Sequence, residues 1–166
     1  PTLTNNGDVP SITEYAVLDA LSYKGEITVE DAMKSFLVQN EVEHFLYQLS
    51  DSTVVEIQNI HREIAITSQA GRPVVEVSLT GDARRKKGGE EISRGKLTKQ
   101  LNRQLEESLA GVAAELLMEP GMDITNSFLK LGGQDRDLYR RYAQDYEGYL
   151  AQLGIVISVD MNFVNE

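Results

Sequence analysis

The sequence predicts an α+β domain in which long amphipathic helices cover an antiparallel sheet, and three observations carry the prediction. Apolar residues recur at three- to four-residue steps from Leu97 through Leu101, Leu105, Leu109 and Val112 to Leu116 and Leu117. Apolar and polar residues alternate on both sides of a turn at Gln69-Ala70-Gly71-Arg72-Pro73, and again from Ile155 to Phe163. The first spacing puts one stripe of a helix into a core, and the other two put one face of a strand there.

Taken in order, residues 1–10 are polar, with Asn5-Asn6-Gly7-Asp8 and Pro10, and read as a flexible lead-in. Ala16, Val17, Ala20 and Leu21 have helical spacing over Glu14 to Tyr23. Thr28-Val29-Glu30-Asp31 reads as a helix start, with Thr28 as N-cap and Ala32, Met33, Phe36 and Leu37 as the buried stripe. A further short helix is expected to carry Val42, Phe45, Leu46 and Leu49.

From Thr53 the period changes. Val55 and Ile57 share one parity, whereas Ile60, Ile64 and Ile66 share the other. Strand side chains alternate strictly, so one strand can face both sets to a core only through a bulge or break, expected near Asn59. After the turn, Val75, Val77 and Leu79 complete a hairpin. Gly81, Gly88, Gly89 and Gly95 enclose Arg84-Arg85-Lys86-Lys87 and Glu90-Glu91, which reads as a mobile, solvated loop.

Lys96 to Met118 is the strongest helix, ended by Pro120-Gly121. Asp123 to Leu131 reads as a short helix closed by Gly132-Gly133. Asp135 is a candidate cap for a helix carrying Leu138, Tyr142, Tyr146, Tyr149, Leu150 and Leu153 and stopped by Gly154. Ile155, Ile157, Val159, Met161 and Phe163 then mark the last strand. The organisation expected is an acidic N-terminal helical segment over 1–50 and an α+β domain over 51–166.

Composition narrows the function classes. At 166 residues with 41% hydrophobic and 25% charged residues, the chain has globular composition. A net charge of −10 repels phosphate backbones and anionic headgroups unless a local patch overrides it. The absence of cysteine removes disulfides, thiolate nucleophiles and thiolate metal sites. It fits a cytoplasmic protein and equally an exported one from a Gram-positive bacterium. The first residues, Pro1-Thr2-Leu3-Thr4, carry neither charged leader nor apolar core, so an export signal is expected to have been removed or to lie outside this sequence.

Few constellations suggest chemistry. Glu41-x-x-His44 spaces a carboxylate and an imidazole by one helical turn, but a di-iron bundle needs two such pairs and two further carboxylates, and His61 brings no partnering motif. A solvated helix face is the simpler reading. Asp135-Arg136-Asp137 follows two glycines without the later residues of a phosphate or calcium loop, and a helix stop followed by an acidic cap explains it. No Ser/His/Asp elbow is present. Arg84-Arg85-Lys86-Lys87 is the one basic cluster, read as a solvated loop tip rather than a membrane contact because Glu90 and Glu91 follow. No catalytic, cofactor-binding or metal-binding residue is expected.

Seven stretches taken together carry a resemblance: Val54-Val55-Glu56-Ile57, Ile64-Ala65-Ile66, Pro73 to Gly81, Leu97 to Leu116, Asp123-Ile124 to Gly132, Leu138-Tyr139-Arg140-Arg141-Tyr142, and Ile155 to Asp160. In this order they resemble the C-terminal domain of the spore germinant-receptor C-subunit lipoproteins, the Ger(x)C type, over roughly residues 54–163. The chain lacks the tryptophan that the family often carries before its last strand. The resemblance implies a non-enzymatic lipoprotein at the outer face of the spore inner membrane, its lipid anchor outside this sequence. Its implied partners are membrane-embedded receptor subunits, joined to it in a nutrient-sensing assembly for spore germination.

Two other readings compete. Residues 14–58, read as three helices and then a strand leading into a hairpin, follow the order of a winged-helix adaptor or regulator. Residues 1–50, however, carry eight acidic residues against Lys24 and Lys34, which no DNA-reading surface tolerates. The run from Gly132-Gly133 through Leu153-Gly154-Ile155 is similar to a short piece of family 3 glycoside hydrolases, whose barrel needs about 250 residues of alternating strand and helix.

Overall fold

A computed structural model of the chain describes residues 2–5, 10–19, 22–39, 41–118 and 121–164, with side chains described for 14–17, 23–39, 41–118 and 121–164. The elements in chain order are β1 (Thr2–Asn5), β2 (Pro10–Asp19), β3 (Ser22–Thr28), α1 (Val29–Gln39), β4 (His44–Ser50), β5 (Thr53–Gln69) and β6 (Arg72–Lys87). There follow α2 (Arg94–Met118), α3 (Ser127–Gln134), α4 (Arg136–Tyr142), α5 (Tyr146–Gln152) and β7 (Gly154–Phe163). One sheet has the order β1-β2-β3, and the other has β4-β5-β6-β7. The expected α+β class holds. All pairings are antiparallel except β6 with β7, which are joined by the whole helical stretch and run parallel.

The N-terminal fifty residues depart most from expectation. Residues 2–5 form β1 rather than a lead-in, and the expected helix over 14–23 is the antiparallel pair β2–β3. Ala16 and Val17 do not share a face: Val17 is buried and Ala16 exposed, while Tyr15 packs edge-on to Phe36 with ring centroids 5.9 Å apart. Ala20 and Leu21, which completed the helical spacing, lie outside the described residues. The expected helix through Val42 and Leu49 is β4, whose Phe45, Tyr47 and Leu49 turn inward while Leu46 is 62% exposed. Short apolar runs fit both periods, and the cross-strand partner decides. With these strands the helix order of a winged-helix domain disappears.

Helix α1 does start as expected. Asp31 N–H donates to Thr28 Oγ1 at 3.1 Å and the Thr28 hydroxyl donates to Asp31 Oδ2 at 2.7 Å, a reciprocal cap.

The long strand β5 carries the expected bulge. Pairing with β6 shifts register between Gln58 and His61, and Asn59 takes φ 54°. Val55 and Ile57 point inward before it, and Ile64 and Ile66 after it. On β6, Gly81 faces the irregularity; a Cβ there would stand 3.0 Å from the Met161 sulfur and 3.1 Å from the Gln58 carbonyl oxygen. The hairpin turn places Ala70 and Gly71 at φ 51° and 79° between Gln69 and Arg72, the two-residue connection that strand twist favours.

The glycine-rich stretch is a strand for half its length. Arg84, Arg85 and Lys87 pair with Glu56, Val55 and Val54, so the basic cluster lies on β6 and not on a loop tip. Arg84, Lys86 and Lys87 are exposed, whereas Arg85 is half-buried and Ala83 before them is buried. Gly88, at φ 68°, turns the chain so tightly that a Cβ there would lie 1.9 Å from the Ser52 carbonyl oxygen.

Helix α2 buries Leu97, Leu101, Leu105, Leu109, Val112, Ala113 and Leu116 in one core with Val55, Ile57, Val75, Val77, Val159 and Met161. That core also takes Val17, Leu37, Val38 and Leu49. The expected helix stop at Pro120 lies outside the described residues. The short helix begins at Ser127 rather than Asp123 and runs through Gly132 and Gly133 to Gln134; a Cβ on Gly132 would stand 3.5 Å from the Tyr139 ring. The next helix is two, α4 and α5, because Asp145 caps a new start by accepting from Gly148 N–H at 2.9 Å. Strand β7 is as expected, with Ile157, Val159 and Met161 buried, and it lies in an open four-stranded sheet, not in the barrel of a glycoside hydrolase.

Candidate functional site

Three groups of polar side chains stand out, and each is built by a different local feature. The first is a buried knot before α3. Asn126 lies at φ 55° and makes no side-chain cap, so Asp123 reaches across to do it. Its carboxylate accepts from Ser127 N–H at 2.7 Å and Phe128 N–H at 3.3 Å at the helix start, from Thr125 N–H at 2.9 Å, and from the hydroxyls of Thr125 and Ser127. The Ser127 hydroxyl donates to Asp123, so the Tyr149 hydroxyl, 2.6 Å away, donates to Ser127 Oγ. Burial pushes the Tyr149 phenol up to about 12, which keeps it a donor. Arg62 donates to the Thr125 carbonyl at 2.7 Å, and burial draws its guanidinium downward. The Asp123 carboxylate and the hydroxyls of Thr125, Ser127 and Tyr149 are satisfied within the knot, and Arg62 Nε is left buried without a partner among the described residues, so the carboxylate serves a structural clasp rather than acting as a base awaiting a substrate.

The second group crosses the sheet. Glu56 on β5 accepts from His44 on β4 at 2.9 Å and from Lys86 on β6 at 2.7 Å. The Lys86 ammonium first, and His44 second, hold its carboxyl below the usual range. His44 therefore belongs to a strand ladder. Glu41 lies on the exposed connection before β4, so the Glu41–His44 pair is not on one helix face. His61, on β5, lies 3.7 Å from exposed Glu63. No group of three metal-ligating side chains is brought together among the described residues.

The third group closes sheet edges. Beyond the end of β4, the Gln134 amide acts as a strand segment: it accepts from Ile66 N–H at 2.8 Å and donates to the Ile64 carbonyl at 3.2 Å. On the opposite edge, Glu106 and Asn102 of α2 accept from Val159 and Met161 N–H at 2.9 and 3.0 Å. These bonds occupy backbone groups that would otherwise recruit another strand. Asp135 ends α3 and caps α4, accepting from Asp137 and Leu138 N–H, as expected of it.

Sequence reasoning placed Asp123 in a helix and missed its role, as it missed Gln134, Glu106 and Asn102. The alternation Asp123-Thr125-Ser127 was the available signal, since these residue types bond locally to backbone. The surface remaining for a partner is of two kinds. One face of the larger sheet carries no helix and presents polar His44, Glu56, Glu76, Ser78, Thr80 and Asp160 around Leu46 and Val156. The outer side of α3–α5 is richer in apolar groups, with Leu129 84%, Tyr139 40% and Tyr146 42% exposed.

By sequence, no family model and no curated protein matches the chain. By structure, the chain superposes on the crystal structure of the GerBC protein with a TM-score of 0.84 over 98% of its length, at 12% identity. It has a Ger(x)C-type fold. The likeness extends beyond residues 54–163 to both sheets, so the N-terminal strands belong to the Ger(x)C-type architecture as well. The chain spans 55% of the length of GerBC. Among the described residues, no helix is long and apolar enough to cross a membrane.

Proposed function

We propose that this chain is a non-enzymatic part of a spore germinant receptor, working by protein–protein assembly at a membrane surface. The observation that carries the reading is the likeness to GerBC across nearly the whole chain, which agrees with the residue pattern of the C-subunit lipoproteins. The polar clusters support it, because the Asp123 carboxylate is held by five donors from neighbouring residues and the Glu56 ladder joins three adjacent strands. The partners in this reading are membrane-embedded receptor subunits. The site of action is the outer face of the spore inner membrane, reached through a lipid anchor on the full-length protein.

The test is deletion of the gene in the organism that carries it. Loss of nutrient-triggered germination, with germination by non-nutrient triggers intact, is the expected result. Co-purification of the tagged full-length protein with multi-span membrane subunits from detergent extracts is expected alongside it. Normal nutrient germination in the deletion strain, with the protein in the cytoplasmic fraction, would overturn the proposal.

A further inference from the structure

The chain is strongly acidic, yet one of its surfaces reverses the sign. Residues 127–142 carry Lys130, Arg136, Arg140 and Arg141 against Asp135 and Asp137, in a chain of net charge −10. Asp135 is occupied as a cap, and Asp137 lies 3.3 Å from Arg140. Lys130 and Arg136 are exposed and have no ion-pair partner among the described residues. Arg141 donates to the Gly71 carbonyl at 2.6 Å, which brings exposed Arg72 beside the same surface.

Apolar groups are interleaved with these cations. Leu129, on α3, is 84% exposed, and Gly132 and Gly133 lie one turn further along the same helix face. A Cβ on Gly132 would stand 3.5 Å from the Tyr139 ring, so Tyr139 packs beside this part of α3. Phe128 links Tyr139, at 6.3 Å between centroids, to exposed Tyr146, at 5.0 Å. Arg136 and Arg140 stand one turn apart on α4, with Tyr139 between them in the chain. An exposed aliphatic side chain, tyrosines and exposed cations beside them are the composition that settles at the headgroup level of a bilayer.

The Arg84–Lys87 cluster lacks this composition. Its Arg84 and Lys87 are exposed, but no aromatic residue stands among its residues, Lys86 is paired with Glu56, Arg85 donates to the Gly89 carbonyl, and Glu90 and Glu91 follow directly.

We propose that the α3–α4 face, centred on Leu129, Tyr139, Arg136 and Arg140, is the surface by which this chain rests on an anionic lipid bilayer. This deepens the proposed function by naming which face meets the membrane, and it rests on that reading for its biological setting. The complementarity of charge selects the occupant: an acidic protein approaches an anionic surface only through its cationic side.

Co-sedimentation of the chain with vesicles of mixed phosphatidylglycerol and phosphatidylcholine tests this directly. Binding is expected to anionic vesicles, to weaken as salt rises, and to be at least tenfold weaker with pure phosphatidylcholine. The double variant R136E/R140E is expected to lose about tenfold or more in vesicle affinity, and Leu129→Glu to weaken it as well. All three positions are exposed, and unchanged thermal melting of each variant confirms that the fold is intact. Equal binding to neutral and anionic vesicles, or unchanged binding by the variants, overturns the proposal. A germination defect from R136E/R140E without any vesicle binding by the parent chain also overturns it, and assigns the face to an acidic partner protein. That outcome leaves the receptor reading standing, whereas normal nutrient germination in a deletion strain removes the receptor reading whatever the vesicles show.

Discussion

Asn126 holds a left-handed backbone from which it cannot cap α3, and Asp123 supplies the missing acceptor from upstream. Removing that carboxylate strands two backbone amides at the helix start and two hydroxyls in a dry site, each a buried donor without a partner. Asp123→Ala is therefore expected to destabilise the fold by about 3 kcal/mol, read as a fall in the denaturant midpoint with unchanged slope. Tyr149 ends the same chain of hydrogen bonds, and its phenol titrates in the folded state near 12 rather than at the usual 10. A raised folded value means that the stability linked to Tyr149 is complete below the unfolded value and is lost as pH rises toward the folded one. Stability is thus expected to fall between about pH 10 and 12 more steeply in the parent than in Tyr149→Phe, by denaturant titration across that range. A parallel decline in both proteins would remove Tyr149 from this role.

At the scale of elements, the strands are held by two devices that involve no apolar burial. Gly88 takes a positive φ beside the Ser52 carbonyl, leaving no room for a side chain. Gly88→Ala is expected to cost 2 kcal/mol or more, on the order of other strained-backbone substitutions, and the thermal midpoint checks it. Gln134 shields the β5 edge by mimicking a strand. Gln134→Ala is expected to lower stability by only about 1 kcal/mol but to raise concentration-dependent self-association, measured by light scattering at fixed temperature. No change in self-association would mean that the edge is protected by α3 packing alone.

For the whole molecule, residues on both sides of position 50 share one core, with Leu37, Val38 and Leu49 packed with Val55 and Leu105. The β4–β5 pairing crosses the same boundary. The division of the chain at 50/51 stands as a proposal that expression of residues 51–166 checks. As an autonomous unit the fragment melts cooperatively. A broad, non-cooperative transition would show that α1 and β4 complete the core rather than adjoin it.

Sequence and structure agree wherever a pattern is long or chemically specific. The α2 stripe covers about five turns, the parity change at Asn59 calls for a bulge or break, and Asp135 sits where a cap is expected. They part where local patterns are short: Val17 and Ala16, or Phe45 and Leu46, satisfy either period, and only a partner strand separates them. The basic run at 84–87 misled for a related reason, since solvated charge marks a loop or the wet face of a strand equally well. The candidate interaction face was half visible: its Leu-Tyr-Arg-Arg-Tyr stretch was noted, but which of those side chains face water was not. The α+β class, the hairpin, the long helix and the last strand follow from sequence alone, because periodicity determines which face of an element seeks the core. The parallel β6–β7 pairing, the Arg62 and Tyr149 ends of the Asp123 clasp and the side-chain closure of both sheet edges depend on residues distant in the chain. Tertiary packing decided them, because a hydrogen bond or an exposed patch is a property of neighbours that no local window contains.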